Sequence, residues 1–93
     1  MTHKRYASVW DAIEASREEA QSMKLRSTLM MALQQHISRA KLSQAQAAKL
    51  FGVTQPRISN LMRGKIDVFA LDTLVNMAAA AGLRVEMRLR KTA

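Results

Sequence analysis

Residues 43–65 constrain the fold of this chain more than any other stretch, because they carry two helix signals around one glycine. Ser43 and Gln46 have the S-x-x-Q spacing of a capping box, which marks the start of a helix. Gly52 suits the left-handed residue that follows the last turn of such a helix. Thr54 is then a good N-cap for a second helix. The segment therefore predicts two short helices joined by a tight turn.

Two helices that cross at about 90–120° over a tight turn need particular residues at a few positions. The crossing needs a small residue, the corner needs an apolar plug, and the second helix needs apolar residues on its inner side. Pro56 falls in the first turn of the second helix, where a missing N–H costs nothing, and Gly64 closes that helix. The residues that meet the packing needs are Ala48, Val53, Ile58 and Leu61. The pattern predicts a helix-turn-helix, with a helical hairpin that only packs as the alternative.

The outward face of the second helix carries short or planar polar side chains. Gln and Asn amides pair with adenine edges in the major groove, and an Arg fork pairs with guanine O6 and N7. Side chains near the start of a recognition helix reach deepest into the groove. The predicted DNA base contacts are Gln55, Pro56, Arg57, Ser59 and Asn60. The predicted phosphate contacts are Gln44, Thr54, Arg63 and Lys65. The alternative for each is an ordinary solvated surface residue.

The charge of the chain favours a polyanionic partner. Its 93 residues carry a formal net charge of +8, a balance that suits nucleic acid. No acidic residue lies between Ala20 and Ile66, and the helix-turn-helix pattern falls inside that stretch. A solvated basic face is the alternative, but the coincidence with the motif favours a nucleic-acid surface.

Several classes of protein are excluded by what the chain lacks. It has no cysteine, so we expect no disulfide framework and no cysteine-bound metal, and a cytoplasmic location fits. No apolar run of about 18 residues is present, so we predict neither a membrane helix nor a membrane partner. The N-terminus lacks the apolar run of a secretory signal. His3 and His36 lie far apart in the sequence, so we predict no metal site and no cofactor. Nothing supplies a nucleophile or a pocket, so no enzymatic activity is predicted.

The rest of the chain predicts further helices and a short tail. Ser8 and Ser16 each stand three residues before an acid, a spacing that marks helix starts. A short helix is expected after Ser8 and a long helix over about residues 17–40, and whether the two merge stays open. Another helix is expected over 70–81, ended by Gly82. Aromatic residues make up only 4%, so a core of aliphatic, Met and Ala side chains is expected. The predicted divisions are 1–7 for a flexible arm, 8–82 for the helical domain, 83–90 for a C-terminal strand and 91–93 for a tail.

Residues 83–90 alternate apolar and charged side chains, which is typical of a β-strand. A lone strand cannot satisfy its own backbone groups, and no other segment offers a partner. The tail is therefore predicted to pair with its twin in a homodimer, to join a partner's sheet, or to hang disordered. Antiparallel pairing centred on Met87 or Val85 sets Glu86 opposite an arginine, whereas pairing centred on Glu86 opposes two glutamates and is disfavoured. The predicted dimerisation residues are Leu83, Val85, Glu86, Met87, Arg88 and Leu89.

The motif resembles the Cro/cI-type helix-turn-helix of the XRE family. The matching residues are Gln44, Ala48, Gly52, Ile58, Leu61, Gly64 and Lys65. The resemblance covers roughly residues 29–82, and it implies a compact all-α bundle of about five helices that binds DNA. Ala70 departs from the family pattern, where a capping Ser is usual, and Asp67 is the alternative cap for the helix that follows.

Three weaker features make the chain similar to HigA-type antitoxins of bacterial toxin–antitoxin pairs. They are the lead at residues 8–13, the Met-Lys-Leu-Arg entry at 23–26 and the alternating tail at 83–90. The resemblance implies a chain that neutralises a ribosome-dependent ribonuclease and represses its own operon. Because such toxins are usually basic, the acidic N-terminal cluster is the predicted contact, with a capped, solvated helix start as the alternative. The predicted toxin contacts are Trp10, Asp11, Glu14, Glu18 and Glu19.

The sequence thus predicts an all-α protein with a C-terminal strand used in dimerisation, which binds double-stranded operator DNA as a homodimeric repressor. Its narrower predicted role is that of an antitoxin which binds a small toxin protein. One alternative is a stand-alone or phage-type regulator, which an adjacent gene for a small basic protein would argue against. The other is a protein-interaction module or nonspecific nucleic-acid binder, which sequence-specific footprints would exclude.

Overall fold

The computed structural model describes residues 9–91 of the backbone and the side chains of residues 17–91. These residues form four α-helices, α1 (Val9–Arg39), α2 (Gln44–Phe51), α3 (Gln55–Met62) and α4 (Leu71–Ala80), with one 3₁₀ turn (Ile66–Val68) between α3 and α4. The predicted flexible arm, residues 1–7, lies outside the described residues. In the part described, no helix combines the length and the apolar character needed to cross a membrane.

α1 is one continuous helix of 31 residues, where the sequence left one or two helices open. Neither glycine nor proline occurs between Val9 and Arg39, so no strong helix breaker interrupts it. Ser16, which has the spacing of a capping residue, lies inside the helix. The prediction of about five helices is therefore wrong, since one long helix replaces two and the described residues contain four α-helices.

The capping signals around α2 and α3 act as the sequence predicts. Ser43 Oγ accepts a hydrogen bond from the Gln46 N–H at 3.1 Å, and Gln46 Oε1 accepts one from the Ser43 N–H at 2.9 Å. Gly52 ends α2 in the left-handed conformation, with φ 69°. Thr54 Oγ1 accepts a bond from the Arg57 N–H at 3.3 Å. These bonds satisfy N–H groups that a helix start leaves without an intrahelical partner.

α4 begins without a side-chain cap. Its N-cap residue is Ala70, which has an extended conformation and makes no side-chain capping hydrogen bond. Asp67, the alternative cap considered in the sequence, lies in the 3₁₀ turn instead. Asp72 lies in the first turn of α4, where a carboxylate interacts favourably with the helix dipole. Asp72 Oδ1 also accepts a hydrogen bond from the Thr73 N–H at 3.0 Å, so this carboxylate and packing support the start of α4 in place of an N-cap side chain.

The core lies between α1 and the three shorter helices, with the 3₁₀ turn closing one side. Phe51 and Phe69 are among its largest fully buried side chains, although the low aromatic content favoured an aliphatic core. Two aromatic rings at the centre suffice in a domain this small because each buries a large apolar area. The buried core residues are Met30, Leu33, Ile37, Ala47, Ala48, Phe51, Ile58, Leu61, Phe69, Leu74, Met77 and Ala78.

The prediction of a C-terminal β-strand is wrong. Residues 83–91 form no strand in the structure, and the side chains of residues 84–91 are exposed. Leu83 packs against the core, and its N–H donates to the carbonyl of Ala78 at 2.9 Å. Alternating apolar and charged residues specify only side-chain direction. A strand also needs a second backbone to pair with, and the described chain offers none.

Candidate nucleic-acid interface

The turn between α2 and α3 sets the direction in which α3 leaves α2. Gly52 occupies the left-handed conformation at this turn. The N–H of Val53 donates to the carbonyl of Ala48 at 3.0 Å across the end of α2. Ala48 is buried, and the half-buried Val53 packs against the core. The predicted small crossing residue and corner plug are both confirmed by these contacts.

α3 is anchored to the rest of the domain along its inner side. Ile58 and Leu61 are both 0% exposed, as the inward spacing in the sequence predicts. On α1, Gln34 donates from Nε2 to the carbonyl oxygen of Leu61 at 2.7 Å. A helix of eight residues is marginal in isolation, so burial and this hydrogen bond determine how α3 is held.

The outer side of α3 presents polar side chains. Since each residue turns the helix by about 100°, four positions lie opposite the buried Ile58 and Leu61. They are Pro56, Ser59, Asn60 and Arg63. Gln55 is exposed at the edge of this outer side, and the half-buried residues on it are Ser59 and Asn60. Four predicted base contacts are thus brought together, and their binding to DNA stays a prediction.

Arg57, the fifth predicted base contact, is half-buried and contacts two other residues of the protein. Its Nη1 donates to the carbonyl oxygen of Val68 at 3.0 Å. Its Cζ lies 5.4 Å from the centre of the Phe69 ring, within the range of a cation–π interaction. A contact between Arg57 and a base would use the remaining N–H groups of the guanidinium or would break these two contacts, and that contact stays a prediction.

The predicted phosphate contacts lie at helix ends and are all exposed. Gln44 is the first residue of α2, and Thr54 is the N-cap of α3. The Thr54 hydroxyl oxygen accepts a hydrogen bond from the backbone N–H of Arg57, and its own O–H stays available as a donor. Arg63 is the C-cap of α3, and Lys65 precedes the 3₁₀ turn. Their contact with phosphate is untested by the geometry of the protein alone.

Two residues that shape this surface were missed in the sequence. Gln34 was one of many polar residues on a long helix, and no local signal marks its bond to Leu61. Phe69 had a signal, because it is the one aromatic residue in the segment that follows the motif. A single large ring next to a cationic motif is a candidate platform for an arginine.

The basic side chains around the motif are not neutralised by nearby acids. Among residues 17–91, the one ion pair joins Arg84 to Glu86 at 3.9 Å, and both side chains are largely exposed. Such an exposed pair contributes little to stability. The cations of the acid-free stretch therefore add to a positive field that attracts a polyanion.

The other predicted contact sets lie away from α3. Glu18 and Glu19 are exposed on the N-terminal half of α1, whereas the side chains of Trp10, Asp11 and Glu14 lie outside the described residues. Of the predicted dimerisation residues, Leu83 is half-buried, and those exposed are Val85, Glu86, Met87, Arg88 and Leu89. Neither a dimer nor a toxin complex is tested by a single chain.

The chain is similar to known helix-turn-helix proteins in both sequence and structure. The helix-turn-helix domain family matches residues 12–90 of the chain. A solved structure of a protein named as an XRE family transcriptional regulator is similar to the chain, with 35% sequence identity and a TM-score of 0.72. The similarity covers 80% of this chain and 83% of that protein. No curated protein sequence matches the chain.

Proposed function

Since the chain belongs to the XRE family of helix-turn-helix transcriptional regulators, we propose that it is a sequence-specific repressor which reads operator DNA with α3. The observation that carries the proposal is the outer side of α3, where short polar side chains stand on an anchored helix. An anchored helix loses little conformational freedom on binding, so its hydrogen bonds to base edges can select a sequence.

The proposal divides the surface into base-reading and phosphate-binding residues. Gln55 and Asn60 have the amides that pair with adenine, and Ser59 has a hydroxyl that accepts or donates. Pro56 offers an apolar surface suited to a thymine methyl group. The residues assigned to phosphates are Gln44, Thr54, Arg63 and Lys65. Phosphate contacts provide much of the affinity, and base contacts provide the choice of sequence.

A homodimer is the proposed binding unit. Two copies of α3 would enter successive major grooves roughly 34–36 Å apart, so the operator would be approximately palindromic. The proposed contacts between copies are the side chains of the tail, where Val85, Met87 and Leu89 expose apolar surface. A groove of about 480 Å³ between the tail, α1 and α4 adds further apolar surface beside them. Burial of such surface in a second copy would remove it from water.

Selection of binding sites from randomised DNA tests the repressor proposal, with footprinting on the selected sequence. The expected result is a palindromic site that competes at least about 10³-fold better than unrelated DNA. Gln55→Ala should lose discrimination at one base pair of each half-site. Gln21→Ala is the matched control, because Gln21 is exposed on the N-terminal half of α1 and does not line the groove proposed for the dimer. Equal affinity for all sequences would contradict the proposal and favour a nonspecific nucleic-acid binder.

The finer proposal is that the regulator is also an antitoxin. It is supported by Glu18 and Glu19, which are exposed on α1 in a chain of formal net charge +8. Carboxylates on a solvated helix could bind a small basic protein through complementary charge. The contact set is completed by Trp10, Asp11 and Glu14. The proposed partner is a ribosome-dependent ribonuclease, neutralised by this binding.

Co-expression with the product of an adjacent gene tests the antitoxin role. The expected result is that this product arrests growth, that the chain restores growth, and that the two co-purify. Glu18→Lys combined with Glu19→Lys should abolish restoration while operator binding persists. Ser38→Lys controls for added positive charge elsewhere on α1, because Ser38 is exposed and lies outside the groove proposed for the dimer. Intact operator binding without any such partner would favour a stand-alone or phage-type regulator.

A further inference from the structure

We propose that Arg57 is a positioning residue: its guanidinium remains on Val68 and Phe69 when DNA binds, and it holds the first turn of α3 in the orientation that the other side chains of α3 need. The inference rests on the proposed function, DNA reading by α3. It assigns to Arg57 a role different from the base contact that its position in the motif predicts.

Two contacts of different kinds hold the Arg57 guanidinium. The carbonyl oxygen of Val68 accepts from Nη1 at 3.0 Å, and a hydrogen bond with a charged donor is stronger than one between neutral groups. The Phe69 ring lies 5.4 Å from Cζ, and Phe69 is itself 1% exposed in the core. A guanidinium can satisfy both partners at once because it is planar and carries donors around its edge. Two contacts therefore hold the guanidinium against the 3₁₀ turn and the buried Phe69 ring.

The position of Arg57 on α3 agrees with this role. Arg57 is four residues before the fully buried Leu61, so its side chain leaves the helix only about 40° away from that of Leu61. It is half-buried, whereas Pro56 and Arg63 on the outer side are exposed. Arg57 thus stands on the flank of α3 that faces the 3₁₀ turn, away from the side proposed to enter the major groove.

The contact joins two elements that the backbone connects only through the Gly64 turn. α3 has its N-terminal turn tied to the 3₁₀ turn through Arg57, and its C-terminal end tied to α1 through Gln34. Together with the buried Ile58 and Leu61, these bonds fix the helix at both ends. Loss of the Arg57 contact would let the first turn shift, and small shifts weaken every hydrogen bond made from a helix face.

Three roles of Arg57 predict different behaviour of Arg57→Lys, which keeps the charge but loses the planar fork. If Arg57 reads a base, Arg57→Lys should lose sequence discrimination at one base pair only. If Arg57 binds a phosphate, Arg57→Lys should keep most of the affinity of the protein for DNA. If Arg57 positions α3, Arg57→Lys should lose about tenfold in affinity for the operator, and the loss of discrimination should be spread over all read base pairs. The dependence of affinity on salt should stay unchanged, because the charge is retained.

The experiment measures the affinity of full-length wild type and Arg57→Lys for the selected operator and for each single base-pair variant, at several salt concentrations. Circular dichroism melting confirms that each variant is folded at the assay temperature. Arg17→Lys is the matched control, because Arg17 is exposed on α1 and lies outside α3 and outside the groove proposed for the dimer. Phe69→Leu keeps the core apolar but removes the ring, and it should reproduce the spread loss. Adding Arg57→Lys to Phe69→Leu should weaken binding little further.

The expected result is a loss of affinity spread over all read base pairs in Arg57→Lys and an unchanged affinity in the Arg17→Lys control. Loss confined to one base pair, or retained affinity, would overturn the inference while leaving the proposed function intact. A wild-type protein without sequence preference would instead overturn the proposed function and this inference with it. Arg57→Lys decides the matter even if Phe69→Leu does not fold.

Discussion

Gln34 on α1 donates a hydrogen bond from Nε2 to the carbonyl oxygen of Leu61 on α3, over 2.7 Å. The two residues are 27 positions apart in the chain. The same carbonyl also accepts from the N–H of Gly64 at 3.0 Å, in the turn that ends α3. One long-range bond therefore links the longest helix to the end of the helix proposed to read DNA.

Gln34→Ala should reduce the free energy of unfolding by about 1 kcal/mol, because a partly buried hydrogen bond is lost while Gly64 still satisfies the Leu61 carbonyl. Gln34→Glu should reduce it further, since a carboxylate is an acceptor and faces another acceptor. Urea denaturation measures both values. Gln35→Ala, an exposed neighbour on α1, should change stability by less than about 0.5 kcal/mol. An effect of Gln34→Ala equal to that control would contradict an energetic role for the bond.

Gly52→Ala should destabilise the domain by about 1–2 kcal/mol through its backbone alone. The residue has φ +69°, and a Cβ built there would meet the Ala80 Cβ at 3.8 Å, which is an ordinary contact. Gly52→Asn should cost less, because asparagine tolerates the left-handed region better than alanine. Thermal and urea unfolding of the two variants would check the order. Equal losses would point to packing rather than to backbone conformation.

Much of the helix-turn-helix could be predicted because its signals are local. The Ser43–Gln46 capping box, the left-handed Gly52 and the inward Ile58 and Leu61 all depend on residues a few positions apart. Local rules also explain why α1 is continuous, since no glycine or proline breaks it. The capping spacing at Ser16 did not start a new helix, because no glycine or proline ended the helix before it. The predicted number of helices was therefore too high.

The parts that could not be predicted depend on residues far apart in the chain or on a second chain. Gln34 finds Leu61, and Arg57 finds Val68 and Phe69, only after the helices have packed. The alternating pattern of residues 83–90 specifies the direction of side chains but supplies no partner backbone. The spacing of residues placed Arg57 on the outward face of α3, because spacing gives no information about which other segments pack beside the helix.

Ala70→Asp should stabilise the domain by about 1 kcal/mol. Ala70 is the exposed N-cap of α4, with φ −77° and ψ 157° and no side-chain capping bond. The Thr73 N–H already donates to Asp72 Oδ1 at 3.0 Å, but an aspartate at the N-cap can accept from the Asp72 N–H and interacts favourably with the helix dipole. Ala79→Asp, at an exposed position near the other end of α4, is the control and should destabilise. The midpoint of urea unfolding would decide, and a decrease for Ala70→Asp would refute the uncapped start.

Lys65→Ala should weaken binding to every DNA sequence by a similar factor and reduce the salt slope by about one unit per half-site. Lys65 is exposed beside the end of α3, where a charge can reach the phosphate backbone without touching a base edge. Titrations of operator and unrelated DNA at several salt concentrations provide the measurement. Lys91→Ala removes an equal charge from the tail and should change the slope less. A loss restricted to the operator would instead assign Lys65 to base recognition.

Leu89→Ser should leave the folding of each chain unchanged and weaken the association of two chains. Leu89 is 92% exposed, so it contributes almost no burial to the single chain, and its substitution should alter monomer stability by less than about 0.5 kcal/mol. In a dimer formed through the tail, the same side chain would leave water, and its loss would cost apolar burial. Sedimentation equilibrium across a range of concentrations measures the association, with Ala20→Ser as a control at an exposed position of α1 outside the groove. Because binding to the full operator is proposed to need both copies, Leu89→Ser should also make operator affinity more dependent on protein concentration. Unchanged association would remove the tail from the proposed interface and direct attention to other apolar side chains exposed on the helices, such as Met31.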